Sequence, residues 1–268
     1  MSILFRWQPS LILTNILNYA NIFVMKKYLM TIQYLGKNYC GFQRQENGLA
    51  IQQVIEDAIF VGLKERVEIF ASGRTDAGVN AIAQTAHFVT NTNCPVEKIP
   101  FAVNQYLPED IKIISCKEVS MDFHARFDVK KKCYEYHCYV SPVELPLINQ
   151  TSHQLKKQPN IKLMQKASEL LVGTHNFKAF MSSGGQQKTF ERTIYYIDIS
   201  YKNNDLVIEV CGNGFLYNMV RIISGTLIEV GLKKKSLDDV KLALESQDRT
   251  KAGYLVPAKG LFLKYVKY

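Results

Sequence analysis

Strand-like and helix-like segments are mixed along this 268-residue chain without a regular strand–helix–strand beat, and that irregularity most limits the folds open to it. Lys26–Tyr34 alternates apolar and polar side chains as a strand does, and Gly36 closes it. Ile51, Val54, Ile55, Ala58 and Ile59 recur at helical spacing, which predicts a helix over Ala50–Val61. Strands are expected at Val67–Ala71, Ala83–Thr90, Ile111–Ser115 and Lys132–Val140. Ile99, Val103 and Tyr106 mark a helix that stops at Pro108. A stretch rich in Pro, Gln, Asn and Ser follows, and then Leu163, Ala167, Leu170 and Leu171 mark another helix. Thr193–Tyr201 and Leu206–Cys211 read as a hairpin turning at Asn203-Asn204-Asp205. Helices over Asn218–Val230 and Leu237–Ser246 precede a closing strand, Leu261–Tyr268. Hairpins without a βαβ rhythm indicate an α+β protein with a largely antiparallel sheet. Residues 25–140 and 161–268 carry similar element types and read as an N-terminal and a C-terminal half, with 141–160 as connector.

The first 24 residues stand apart. They hold one basic residue, Arg6, no acid, and an apolar stretch, Leu11–Val24, interrupted by Asn15, Asn18 and Asn21. That is too short and too polar to span a bilayer. A dispensable leader is the expectation and a targeting peptide the alternative. Phe215–Leu232, the longest apolar run elsewhere, is broken by Asn218, Arg221 and Glu229 and reads as a buried helix, so no membrane partner is expected.

Charge narrows the partner. The 33 Lys+Arg exceed the 24 Asp+Glu by nine, and 15 Tyr and 14 Phe accompany that excess. A polyanion such as RNA and a merely basic soluble enzyme both fit. Cys40, Cys94, Cys116, Cys133, Cys138 and Cys211 are scattered, with no C-x-x-C pair. Free, packed thiols in a reducing cytoplasm are therefore expected, with no metal site. The sequence also lacks G-x-x-x-x-G-K-[ST], H-E-x-x-H and G-x-S-x-G, which removes support for ATP hydrolysis and for zinc or serine hydrolase chemistry. No cofactor motif remains.

Three segments carry candidate chemistry. In Gly73-Arg74-Thr75-Asp76-Ala77-Gly78, two glycines bracket a guanidinium and a carboxylate just after a strand. It is either a surface turn with an exposed ion pair, or a nucleophilic or acid–base carboxylate beside a phosphate-binding arginine. In Lys130-Lys131-Lys132-Cys133-Tyr134-Glu135-Tyr136, a basic run enters alternating tyrosines. The lysines either begin a solvated strand or touch phosphates while Tyr134 stacks on an unpaired base. In Gly214-Phe215-Leu216-Tyr217-Asn218-Met219-Val220-Arg221, an arginine lies among apolar residues and needs either an acidic partner or helix-end carbonyls.

Taken in order, these segments and the closing Lys259-Gly260-Leu261-Phe262-Leu263 resemble the tRNA pseudouridine synthase A family. So do Tyr34-Leu35-Gly36 through Gly41-Phe42-Gln43, Phe123-His124-Ala125-Arg126-Phe127 and Gly225–Gly231. The resemblance runs from about residue 26 to the C-terminus. It implies an isomerase that turns uridine into pseudouridine at positions 38, 39 and 40 of the tRNA anticodon stem-loop. The implied fold has two similar α+β halves whose sheets join across a central cleft, with helices on the outer faces, in a cytoplasmic homodimer. It implies that Asp76 is the catalytic aspartate, that Arg74 displaces the target base and that Tyr134 stacks on it. Arg221 would pair with Asp76 and Leu261 would line the pocket, with no metal or redox cofactor. Asn80, Phe42 and Glu135 depart from the family pattern, which commonly has His, Trp and a basic residue there. The first two are expected to tune RNA contact or packing, and Glu135 removes one phosphate contact.

Overall fold

The computed structural model describes residues 25–268 apart from Asn47 and residues 186–188. The leader reading for residues 1–24 therefore lies outside the described residues. Ten strands form one sheet among the described residues: β1 (Lys26–Tyr34), β2 (Phe70–Ala71), β3 (Asn80–Thr90), β4 (Ile111–Val119), β5 (Lys131–Val140), β6 (His153–Leu155), β7 (Gly173–Asn176), β8 (Glu191–Lys202), β9 (Asp205–Gly212) and β10 (Leu261–Lys267). Five α-helices accompany them: α1 (Ile51–Leu63), α2 (Ile99–Asn104), α3 (Ile161–Glu169), α4 (Met219–Gly231) and α5 (Leu237–Ser246). The strand order is β4-β1-β3-β10-β5-β9-β8-β7, with β2 on β3 and β6 on β5. Every pairing is antiparallel except β3 with β10 and β5 with β6. The protein is thus α+β with a mostly antiparallel sheet.

Local chemistry explains several elements directly. Asn203 (φ 53°) and Asn204 (φ 69°) both take the left-handed region, and β8 meets β9 in register from Lys202↔Asp205. Two positive-φ residues in a two-residue loop match the right-handed twist of the flanking strands. The Ser236 side chain accepts from the Asp239 N–H while Asp239 reaches back to the Ser236 N–H, a capping box that fixes the start of α5. Ile51, Ile55, Ala58 and Ile59 of α1 join Met30, Ile32 and Tyr34 of β1 in one continuous core. Each Ile or Met side chain among them contributes roughly 1.5–3 kcal/mol on burial. Nearly all of α4 is buried, as its largely apolar composition requires, with Arg221 and Glu229 the two residues of the helix not fully buried.

Other elements differ from expectation. Of Val67–Ala71 only Phe70 and Ala71 pair, opposite His87 and Ala86, while buried Ile69 donates its backbone N–H to Glu56 and accepts from Gln52 at its carbonyl instead of pairing with a strand. Strand β4 runs on to Val119 because β1 offers a partner from Tyr34 back to Lys27. The Gly-Thr-His-Asn strand β7 has no apolar alternation, and its pairing with β8 creates it. Residues 141–160 contain β6. The expectation of six free thiols is corrected for two of them: Cys133 and Cys211 form a disulfide, while Cys40, Cys94, Cys116 and Cys138 are free. The two face each other in the β5–β9 register with Cα atoms 4.2 Å apart, within reach of a cross-strand bridge, although 78 residues separate them in sequence.

Candidate active site

Three adjacent central strands assemble the site. The loop Ser72–Val79 leads into β3, which lies beside β10 through Phe262↔Asn80, and β10 pairs with β5 through Leu261↔Tyr136 and Leu263↔Tyr134. The Asp76 loop therefore enters at the junction of the sheet whose neighbouring strands carry Leu261 and Tyr134, and Arg221 comes from α4.

The loop is fixed from several sides. Asp76 O accepts the Val79 N–H at 3.1 Å, closing a turn. Tyr34 Oη and Thr75 Oγ1 lie 2.7 Å apart, and the Phe42 N–H donates to Thr75 O at 3.1 Å. Ser72 Oγ donates to Gln84 Oε1 at 2.6 Å, and Gln84 Nε2 donates to Gly73 O at 2.9 Å. Arg74 stands exposed on this framework, while Thr75 is buried and Asp76 half-buried.

Asn80 and Phe42, two of the departures, belong to the packing. Asn80 is buried, accepts from the Gly36 N–H at 2.8 Å and donates to Lys259 O at 2.8 Å. A Cβ on residue 36 would lie 2.1 Å from Val79 O, so only glycine lets the chain lie this close. Phe42 is buried, its ring tilted against Tyr34 at 6.1 Å. Glu135 takes the opposite strand face from Tyr134 and binds Lys264 at 2.7 Å and His137 at 3.1 Å.

Arg221 spends two of its five donors on Val256 O (2.8 Å, from Nε) and Asn218 Oδ1 (2.7 Å, from Nη1). No ion pair joins it to Asp76 within 4.0 Å among the described residues, yet the two charges act on each other through space. Burial pushes the Asp76 carboxyl above the usual carboxylate range, and the Arg221 charge opposes that rise. Burial lowers Arg221 in turn, with Asp76 the leading group that offsets it. Tyr134 is 9% exposed and meets Phe215 edge-on at 5.3 Å. Burial, with Tyr34 and Asp76 adding, holds its phenol far above the ordinary tyrosine range, so it is neutral at physiological pH. Leu261, 5% exposed, completes the apolar wall.

The three lysines go to three places. Lys130 is exposed. Lys131 lies over the rings of Tyr196 and Tyr265, at 5.2 and 5.5 Å. Lys132 donates to Ser72 O at 2.6 Å. Sequence reasoning missed Gln84, Thr75, Asn218 and Val256, which hold the loop and the guanidinium. A glutamine in the Ala81–Phe88 strand, among mostly small and apolar neighbours, was the available signal.

A half-buried carboxylate, raised by burial and opposed by a guanidinium charge, thus stands near a buried tyrosine at the seam of an α+β sheet. The family follows from sequence comparison: the sequence profile of tRNA pseudouridine synthases matches residues 30–128 and 167–268. This chain belongs to the tRNA pseudouridine synthase family, a family of isomerases. It is 49% identical over 242 residues to tRNA pseudouridine synthase A 2 of Clostridium tetani, covering 89% of this chain and 97% of that one. It is 44% identical over 248 residues to tRNA pseudouridine synthase A of Clostridium acetobutylicum, covering 91% and 100%. Among solved structures, an archaeal box H/ACA sRNP Nop10–Cbf5 complex aligns over 86% of this chain and 58% of that chain, with a TM-score of 0.34 and 11% identity, too loose a likeness to bear on function. No helix among the described residues is long and apolar enough to cross a membrane.

Proposed function

We propose that this chain isomerises uridine to pseudouridine at positions 38, 39 and 40 of the tRNA anticodon stem-loop, acting as a homodimer in the cytoplasm. The observation that carries the reading is Asp76 in a desolvated pocket under the charge of Arg221, with Tyr134 beside it. The reaction breaks C1′–N1, turns the uracil and joins C1′ to C5; N1 gains a proton and C5 loses one, so composition and oxidation state are conserved. The ionised carboxylate either attacks C1′ or stabilises and deprotonates the sugar along a glycal path. Arg221 favours that ionised form. Tyr134, neutral, stacks on the turned base as it sits against Leu261, and Arg74 at the loop surface helps displace it. Leaving the helix costs the base a few kcal/mol, offset by this stacking and by phosphate contacts.

In this reading residues 25–140 supply Asp76 and Tyr134, residues 161–268 supply Arg221 and Leu261, and 141–160 connects them. A second reading, a tRNA-binding module without chemistry, does not call for a desolvated carboxylate facing a guanidinium. The direct test incubates the protein with a tRNA transcript tritiated at uridine C5. Each isomerisation releases one tritium to water, so the expected result is release equivalent to the target uridines. No release would refute the function.

A further inference from the structure

Lys132 is the one basic side chain of the Lys130–Lys132 run that touches the loop carrying Asp76. Its ammonium donates to Ser72 O at 2.6 Å, and a Cβ on Gly73 would lie 2.7 Å from that nitrogen. The ammonium therefore fills the space that a side chain at position 73 would need. The same two peptides are held from the other side. The Ser72 N–H donates to Thr85 O at 2.8 Å, and Gln84 takes the Ser72 hydroxyl and the Gly73 carbonyl. Past them, Tyr34 and Phe42 hold Thr75. Asp76 sits immediately beyond these two clamps, and Lys132 is the member that comes from the strand of the stacking tyrosine. Residues 132 and 134 share one face of β5, so a single strand sets both the pocket wall and the pitch of the loop.

We propose that Lys132 is a positioning residue, which fixes the Ser72–Gly73 turn so that Asp76 meets the sugar at the productive angle, and that it contacts no phosphate. This rests on the isomerase reading above. Burial, with Arg126 adding, lowers the Lys132 ammonium to about 8, so it is charged and donating at neutral pH. The ammonium is desolvated and aimed at the Ser72 carbonyl of the loop, unlike the exposed Lys130. A displacement of about 1 Å at a reacting group costs on the order of 100-fold in rate.

The test compares Lys132→Met and Lys132→Arg with the parent, using C5-tritiated tRNA transcript. It reads the single-turnover rate at saturating tRNA, the tRNA Kd, and the slope of log Kd against log salt. Lys132→Met should lose about 100-fold in rate with its Kd within about twofold of the parent and its salt slope unchanged; Lys132→Arg, which keeps a charged donor, should recover at least about tenfold of that loss. A phosphate contact behaves oppositely: the slope drops by about 0.7–0.9 and affinity falls while the saturated rate holds, and that result would overturn the proposal. Parent-like rate in Lys132→Met would overturn it as well. Should Lys132→Met melt below the assay temperature, Lys132→Gln, a neutral donor of shorter reach, takes its place with the same outcomes. Release by the parent shows that the function stands whichever way Lys132 falls. A parent that releases no tritium refutes the function itself.

Discussion

Asp76 is subject to two opposed effects: burial disfavours its charge, and the Arg221 guanidinium favours it. Burial wins, so the carboxyl titrates above the ordinary carboxylate range. In the proposed reaction this acid must ionise before it acts at the sugar, so kcat/KM should fall as pH drops through that raised value. Removing the Arg221 charge takes away the lowering influence and leaves the burial, so in Arg221→Ala the acid limb should move to higher pH. Arg221→Lys keeps the charge but not the planar fork that reaches Val256 O and Asn218 together, so its limb should stay near the parent's while its rate falls. Profiles of kcat/KM from about pH 5 to 9 for the three proteins decide this. An acid limb in Arg221→Ala coincident with the parent's would show that the guanidinium does not tune the carboxylate.

Helix α4 places that guanidinium only because the 252–256 segment lies flat along it. A Cβ on Gly225 would come within 2.0 Å of Tyr254 O, a backbone atom that cannot swing aside. Gly225→Ala must push that segment away, and with it the Val256 carbonyl that holds Arg221 at 2.8 Å. The expected result is a destabilisation of about 1–3 kcal/mol together with a loss of turnover, read by denaturant melts and tritium release. A variant that melts like the parent would contradict this packing. Elements specified by neighbouring residues were legible in the sequence. Leu237–Ser246 has its expected bounds because the capping box at Ser236 is local, and the Asn203-Asn204 hairpin turns where those two residues allow positive φ. Elements that exist only through a distant partner were not. Strand β7 is made by β8, and the Cys133–Cys211 pairing by the β5–β9 register. At the site, the motif order pointed to Asp76, Tyr134 and Arg221. The contacts of Asn80 and Lys132 were hidden because their partners lie far along the chain. Asn80 bonds Gly36 and Lys259, 44 and 179 residues away, and Lys132 bonds Ser72, 60 away.

Across the whole molecule, binding and chemistry are separable. The net charge of +9 and exposed basic residues such as Arg74 and Lys130 spread attraction for a polyanion over the surface, whereas the proposed chemistry is asked of one carboxylate where β10 lies between β3 and β5. Asp76→Asn separates the two. It keeps the side chain's size and some hydrogen bonding, removes the charge and the nucleophile, and leaves the surface cations in place. The decisive measurement is tritium release from C5-labelled tRNA by Asp76→Asn, with tRNA Kd taken at fixed salt on the same preparation and a melting curve matching the parent. Release should fall by at least ~10⁴-fold while Kd changes by less than about tenfold, or ~1.4 kcal/mol. Undiminished release from Asp76→Asn would contradict the assignment of this carboxylate as the catalytic group.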